Sequence, residues 1–131
     1  MWKYEQNSGT MIDPDGNVLA TGYSGEWDGS LPIGGPNDHR NKPTDENIKA
    51  TGPIPTGTYT IEDATNNTNK GPIAMHLTPD ANNEMFGRSA FMIHGDLSPP
   101  RSGRASEGCI ILNRVARTAI DDSDDRVLIV E

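Results

Sequence analysis

A chain of 131 residues holds one hydrophobic core and is too short for two ordinary domains. Hydrophobic residues make up 33% and 14 glycines add to them, which sits near the low end for globular chains and implies a folded protein with much loop. A net charge of −8 opposes the phosphate-neutralising surface that nucleic-acid binding needs, no run approaches the length of a membrane span, and a single cysteine excludes an internal disulfide.

The first ten residues, "MWKYEQNSGT", lack the basic start and apolar core of a secretory signal, so the chain is expected to be made and kept soluble. Next, "GTMIDPDGNVLATGYSG" sets Asp15-Gly16 between two apolar-bearing runs. Asp-Gly tolerates the positive φ angles of tight hairpin turns, which predicts strands near 10–13 and 17–23. The stretch from Gly25 to Pro55 is poor in apolar residues and rich in Gly and Pro. It reads as one long loop, either a substrate-facing wall or a solvated excursion. Tyr23 and Trp27 either line a groove or pack the hairpin.

Three more strands are predicted at 56–63 ("TGTYTIED"), 72–79 ("PIAMHLTP") and 89–96 ("SAFMIHGD"), separated by the turns "DATNNTNKG" and "DANNEMFGR". After Cys109, "IIL" continues as strand, Asn113 caps a short helix "RVARTAI", and a last strand "RVLIVE" follows the solvated acidic run Asp121 to Asp125. About seven strands and one short helix make a mainly β protein, a single domain over residues 1–131.

Within "SAFMIHGD", period-two alternation puts Ala90, Met92 and His94 on one face and Phe91, Ile93 and Gly95 on the other. Cys109 follows His94 by fifteen positions, across a segment rich in Pro, Gly, Ser and Arg that can turn over the surface and return the thiol to a neighbouring strand. Cysteine acyl transfer needs a thiolate, a base and oxyanion donors. Gly108 lets backbone amides approach a substrate carbonyl, Ser106 offers a hydroxyl, and Arg101 and Arg104 add positive potential near the thiol. Taken singly, His94 is a satisfied core histidine and Cys109 plain packing.

The pair "IHG" and "SEGC" resembles the L,D-transpeptidase signature, and "GPIPTGTYTI" resembles the strand that those enzymes carry upstream. The order "YEQNSG", "GYSG", "GPIPTGTY", "FGRSAFMIHGD", "ASEGCIIL" and "VLIVE" is similar to that of the compact L,D-transpeptidase-like effectors of bacterial type VI secretion. The resemblance implies a compact β-sandwich or barrel with one short helix. It also implies a cysteine enzyme that cleaves (L,D-carboxypeptidase) or exchanges (L,D-transpeptidase) the terminal D-alanine of peptidoglycan stem tetrapeptides, with no cofactor and no metal. Cys109 would be the nucleophile and His94 the base, oriented by the Gly95 carbonyl, with the Gly108 and Cys109 amides as oxyanion site. A toxin of this kind would be delivered by a secretion apparatus to the periplasm of a target cell and met by a cognate immunity protein.

Glu107 stands where ordinary L,D-transpeptidases carry a second histidine, and it is expected to face outward, away from the thiol. Arg88 is a further substrate-binding candidate, through bidentate contact with a carboxylate, and Ser106 another; a surface ion pair is the alternative for Arg88. Two rival readings remain. The chain is a non-catalytic binding module in which Cys109 is packing, or His39, His76, His94 and Cys109 hold zinc, although these four lack the close pairing usual in zinc sites.

Overall fold

A computed structural model describes residues 1–67 and 69–131. Its strands are β1 (Trp2–Glu5), β2 (Thr10–Ile12), β3 (Val18–Thr21), β4 (Tyr23–Ser24), β5 (Gly57–Ile61), β6 (Thr65–Asn67), β7 (Gly71–Pro79), β8 (Met92–His94), β9 (Ile110–Ile111) and β10 (Val127–Val130), with one helix, α1 (Arg114–Asp121). They form a mixed sheet in the order β3-β2-β1-β10-β5-β7-β8-β9-β4, with β6 paired to β7. The β1/β10 and β8/β9 pairs are parallel. The molecule is therefore mainly β with a single helix, as composition and resemblance predict.

The sheet's first half is read directly from alternation. Trp2 and Tyr4 on β1, Tyr59 and Ile61 on β5, and Leu128 and Val130 on β10 all point into the main core. Register stacks Trp2 on Leu128 and Leu128 on Tyr59. Each of these side chains contributes about 1.5–3 kcal/mol on burial. The helix adds Ala116 and Ile120 to the same core, and Asn113 caps it by accepting the Ala116 amide at 2.8 Å. Arg126 then donates to the carbonyls of Ile61 (3.0 Å) and Glu62 (2.8 Å), fastening the chain just after the helix to the end of β5.

Several elements differ from the sequence reading, each for a physical reason. No strand is predicted at β1, because only two of its four residues are apolar; its pairing with β10 supplies what the short pattern lacks. The strand predicted at 17–23 divides at Gly22, so that β3 pairs with β2 while β4 crosses over to β9. Part of the "DATNNTNKG" turn is strand β6: Thr65 and Asn66 are exposed, and the pairing to β7 asks for backbone partners rather than apolar side chains. The strand predicted at 89–96 shrinks to Met92–His94, since Ala90 adopts φ +66° and breaks the extended run.

The long loop is ordered by polar contacts. Trp27 bridges to Asp38, and Arg40 donates to both Asp38 oxygens at 2.8 Å while lying 4.1 Å over the Trp27 ring. That guanidinium holds the buried Asp38 carboxyl down at about 2. Trp27 thus packs within the loop. The loop's end, Gly52 to Pro55, is buried against the core.

Candidate active site

The β8/β9 pairing does the placing. Ile93 lies opposite Ile110 and His94 opposite Ile111, so Cys109, two residues before Ile111, shares a sheet face with His94 as its diagonal neighbour. Strand spacing and rise put such a pair about 8 Å apart between Cα atoms. The thiol packs with Met92, Ile111 and Ala74 in a small second cluster, whereas Phe91 and Ile93 enter the main core. Both faces of β8 are thus covered, and His94 is 2% exposed.

The orientation of His94 follows from its one hydrogen bond. Nδ1 lies 2.9 Å from the Gly95 carbonyl; a carbonyl only accepts, so Nδ1 carries the hydrogen and Nε2 the lone pair. Nε2 is buried and has no hydrogen-bond partner among the described residues. Gly95 is itself crowded by Arg117, whose Nη2 would stand 2.8 Å from a Cβ at that position. Arg117 is anchored to the Leu112 carbonyl at 3.1 Å and to the Pro72 carbonyl. Burial pushes the imidazole pKa down, and the positive charges of Lys70 and Arg117 push the same way, against the Gly95 hydrogen bond and Asp96.

Cys109 is 9% exposed. Burial pushes its thiol pKa up, helped by Glu107 and opposed by the Met92 amide, Lys70 and Arg88. Thiol up and imidazole down both favour the neutral pair over a thiolate–imidazolium ion pair, and no hydrogen bond joins the two groups.

Two cavities open on this pair. One, about 380 Å³, is lined by Cys109 with Lys49, Lys70, Arg88 and Glu107; the other, about 430 Å³, is lined by His94 with Lys70, Asp96, Arg101 and Arg104. Lys70 borders both. Glu107 is exposed as expected, yet it lines the thiol's cavity. Arg101 and Arg104 lie beside the histidine's cavity, so the cations acting on the thiol are Lys70 and Arg88. Ala50 and Lys49 bring the end of the long loop to the wall of the thiol's cavity.

Arg88 and Ser106, read from sequence as substrate contacts, both hydrogen-bond the protein's own backbone, and Arg88 also lines the thiol's cavity. Arg88 is 8% exposed. It donates to the carbonyls of Pro53 and Gly52 at 2.7 Å and to that of Glu46, and lies 5.0 Å over Phe91. Ser106 is 1% exposed. Its hydroxyl donates to the Cys109 carbonyl at 2.7 Å and accepts the Gly25 and Gly108 amides at 3.0 Å. The Gly108 amide is therefore engaged by Ser106. Ser24, which sequence reasoning missed, donates to the Gly108 carbonyl and accepts the Ile54 amide, both at 2.8 Å. Nothing local in the sequence marks that residue, since its partners lie 84 and 30 positions away.

No three His, Cys, Asp or Glu side chains gather as a metal site among the described residues. His39 pairs with Asp45 at 2.9 Å and His76 is exposed on β7.

The model of the Tlde1 domain matches residues 33–124, more than half of the chain. The chain belongs to the Tlde1 domain family. It is thus a domain of a type VI secretion effector family. No curated protein and no solved structure matches it. The matched span of this Tlde1 domain contains both cavities, β5 to β9 and α1, and leaves out β1 to β4 and β10. No helix among its described residues is long and apolar enough to cross a membrane.

Gly108 is the tightest point of the Tlde1 domain's cysteine loop. It adopts φ +125°, and a Cβ there would stand 2.6 Å from Arg88 Nη2 and 2.9 Å from Phe91. Gly108→Ala is expected to lower stability by about 1–3 kcal/mol, read as a shift in the urea midpoint; an unchanged midpoint would show that the loop yields freely.

Proposed function

We propose that this Tlde1 domain is a cysteine acyl-transfer enzyme that removes or exchanges the terminal D-alanine of peptidoglycan stem tetrapeptides. The observation that carries the reading is the buried, unpartnered Nε2 of His94, its tautomer fixed by Gly95, on the same sheet face as Cys109. A buried nitrogen without a partner costs about 1–3 kcal/mol, a cost accounted for if the thiol hydrogen or a leaving amine is its working partner.

In this mechanism Nε2 takes the thiol proton as Sγ bonds to the carbonyl carbon that precedes D-alanine. The oxyanion falls to the Cys109 amide, since the Gly108 amide is held by Ser106. Collapse breaks the carbon–nitrogen bond, the D-alanine amine leaves with the proton from Nε2, and a thioester remains on Cys109. Water, deprotonated by His94, yields the tripeptide acid; a D-amino acid attacking instead through its amine yields the exchanged stem. Gly95 orients the base, while Gly108, Ser106 and Arg88 position the nucleophile's surroundings. Delivery by a secretion apparatus to the periplasm of a target cell, and a cognate immunity protein in the producer, follow from the same reading.

The test incubates disaccharide tetrapeptide with the protein, with and without an added D-amino acid, and follows tripeptide and exchanged product by mass spectrometry. Turnover is expected in the wild type and absent in Cys109→Ala; equal turnover in both would remove the cysteine from the chemistry. The raised thiol pKa and the unmade thiol–imidazole bond favour one second reading, a non-catalytic binding module. A folded wild type that binds the stem and never turns it over would establish that reading instead.

A further inference from the structure

The cavity beside His94 is basic in an acidic protein. Lys70, Arg101 and Arg104 border it, three of the 11 Lys and Arg residues in a chain of net charge −8. Asp96 is the one carboxylate on its wall among the described residues, and its oxygens are already engaged. They accept the Tyr23 hydroxyl at 2.6 Å, the Leu97 amide at 2.8 Å and the Gly103 amide at 2.9 Å. The Tyr23 oxygen in turn accepts the Ala105 amide at 2.9 Å. Tyr23 and Asp96 therefore pin the crossover segment 97–105 near both ends and hold its two arginines beside the cavity. Arg104 also lies against Gly29 of the long loop and near the exposed Asp28.

We infer that this cavity is the subsite for the amino acid leaving or joining the stem, and that Arg101 and Arg104, with Lys70, recognise its free α-carboxylate. The inference rests on the acyl-transfer reading. The argument is covalent geometry. The amine that leaves must collect its proton at His94, and in an α-amino acid the amine and carboxylate share one carbon. The cavity lined by His94 is the one within reach of that carboxylate, and Lys70, Arg101 and Arg104 stand on its wall. A residue inside a longer peptide would present a neutral amide to the same cations and lose their charge-assisted hydrogen bonds. The wall thus selects a terminal residue for cleavage and a free amino acid for exchange.

The experiment separates this subsite from the chemistry by using Cys109→Ala protein, which binds without turnover. Its affinity for a tetrapeptide stem ending in D-alanine is compared with that for the same stem ending in D-alanine carboxamide. The carboxylate is expected to bind about ten- to a hundredfold tighter, and Arg101→Gln with Arg104→Gln in the same background should bring the two affinities together. Both arginines are exposed, so the fold should tolerate the exchange, and Arg101→Lys with Arg104→Lys should keep part of the preference. Equal affinities in the Cys109→Ala protein, or a preference that survives the glutamine exchange, would overturn the inference. An arginine-dependent preference together with an inert wild type would leave the carboxylate site standing and refute the enzyme reading alone.

Discussion

Arg88→Met is expected to cost about 3 kcal/mol or more of folding stability, a large share of the roughly 5–15 kcal/mol that holds a domain together. The guanidinium is nearly sealed from water and serves the carbonyls of Glu46, Gly52 and Pro53 while stacking on Phe91. Methionine fills the space but donates nothing, leaving carbonyls in a dry setting without donors, each costing about 1–3 kcal/mol before relaxation. The segment released, residues 46–53, carries Lys49 and Ala50 on the wall of the thiol's cavity and Glu46, whose Oε1 accepts from Gln6 at 3.0 Å and from the Thr56 amide at 2.9 Å. Urea unfolding measures the loss. Arg88→Lys keeps the charge without the fork of donors and should recover less than half of it; a midpoint unchanged in Arg88→Met would show that the segment stands without its clamp.

His94→Ala is expected to slow tripeptide release about 10²–10⁴-fold, the usual worth of a positioned general base. The pH profile carries the sharper statement. Burial holds the imidazole pKa below its ordinary value, so the base stays neutral further into acid, and kcat/KM should rise with pH along a limb centred below about 6.5 and then stay flat through neutrality. The same depression acts on folding. Below pH 6.5 the unfolded chain takes up the proton before the folded one does, so stability is full above that pH and falls as pH drops through the folded value. His94→Gln should flatten that acid loss. A rising limb at or above about 6.5 would show that burial does not hold the imidazole down, and a falling limb from neutrality upward would show an imidazolium paired with a thiolate, against the neutral pair to which burial points.

Much of the fold is legible locally. Asp15-Gly16, the alternating runs of β5 and β7 and the Asn113 cap each announce their element within a few residues. What escapes is settled by partners far away. β1 exists because β10 pairs with it across the chain, β6 because β7 offers an unpaired edge, and Ser24 acts because it meets Gly108 and Ile54. For the candidate site, "IHG" and "SEGC" mark the two candidate side chains, but residue type alone does not tell a donor facing a cavity from one facing the backbone. Arg88, on the wall of the thiol's cavity, and Ser106 both donate to backbone carbonyls. Arg101 and Arg104 lie within eight residues of the cysteine in sequence, yet the crossover carries them to the histidine's side.

The parallel pairing of β8 with β9 separates two tasks. His94 and Cys109 are spaced by the ladder itself, Ile93 on Ile110 and His94 on Ile111, and the hydrogen bond from the Leu112 amide to the His94 carbonyl, 3.0 Å, locks that register from the strand side. The fourteen residues between them in sequence do not set the spacing of these two side chains. They are a bridge whose piers, Gly95 and Ser106 to Gly108, are fixed by their own contacts, and only the exposed residues of its middle, 97–104, can change to alter the second cavity while His94 and Cys109 stay where the strands put them.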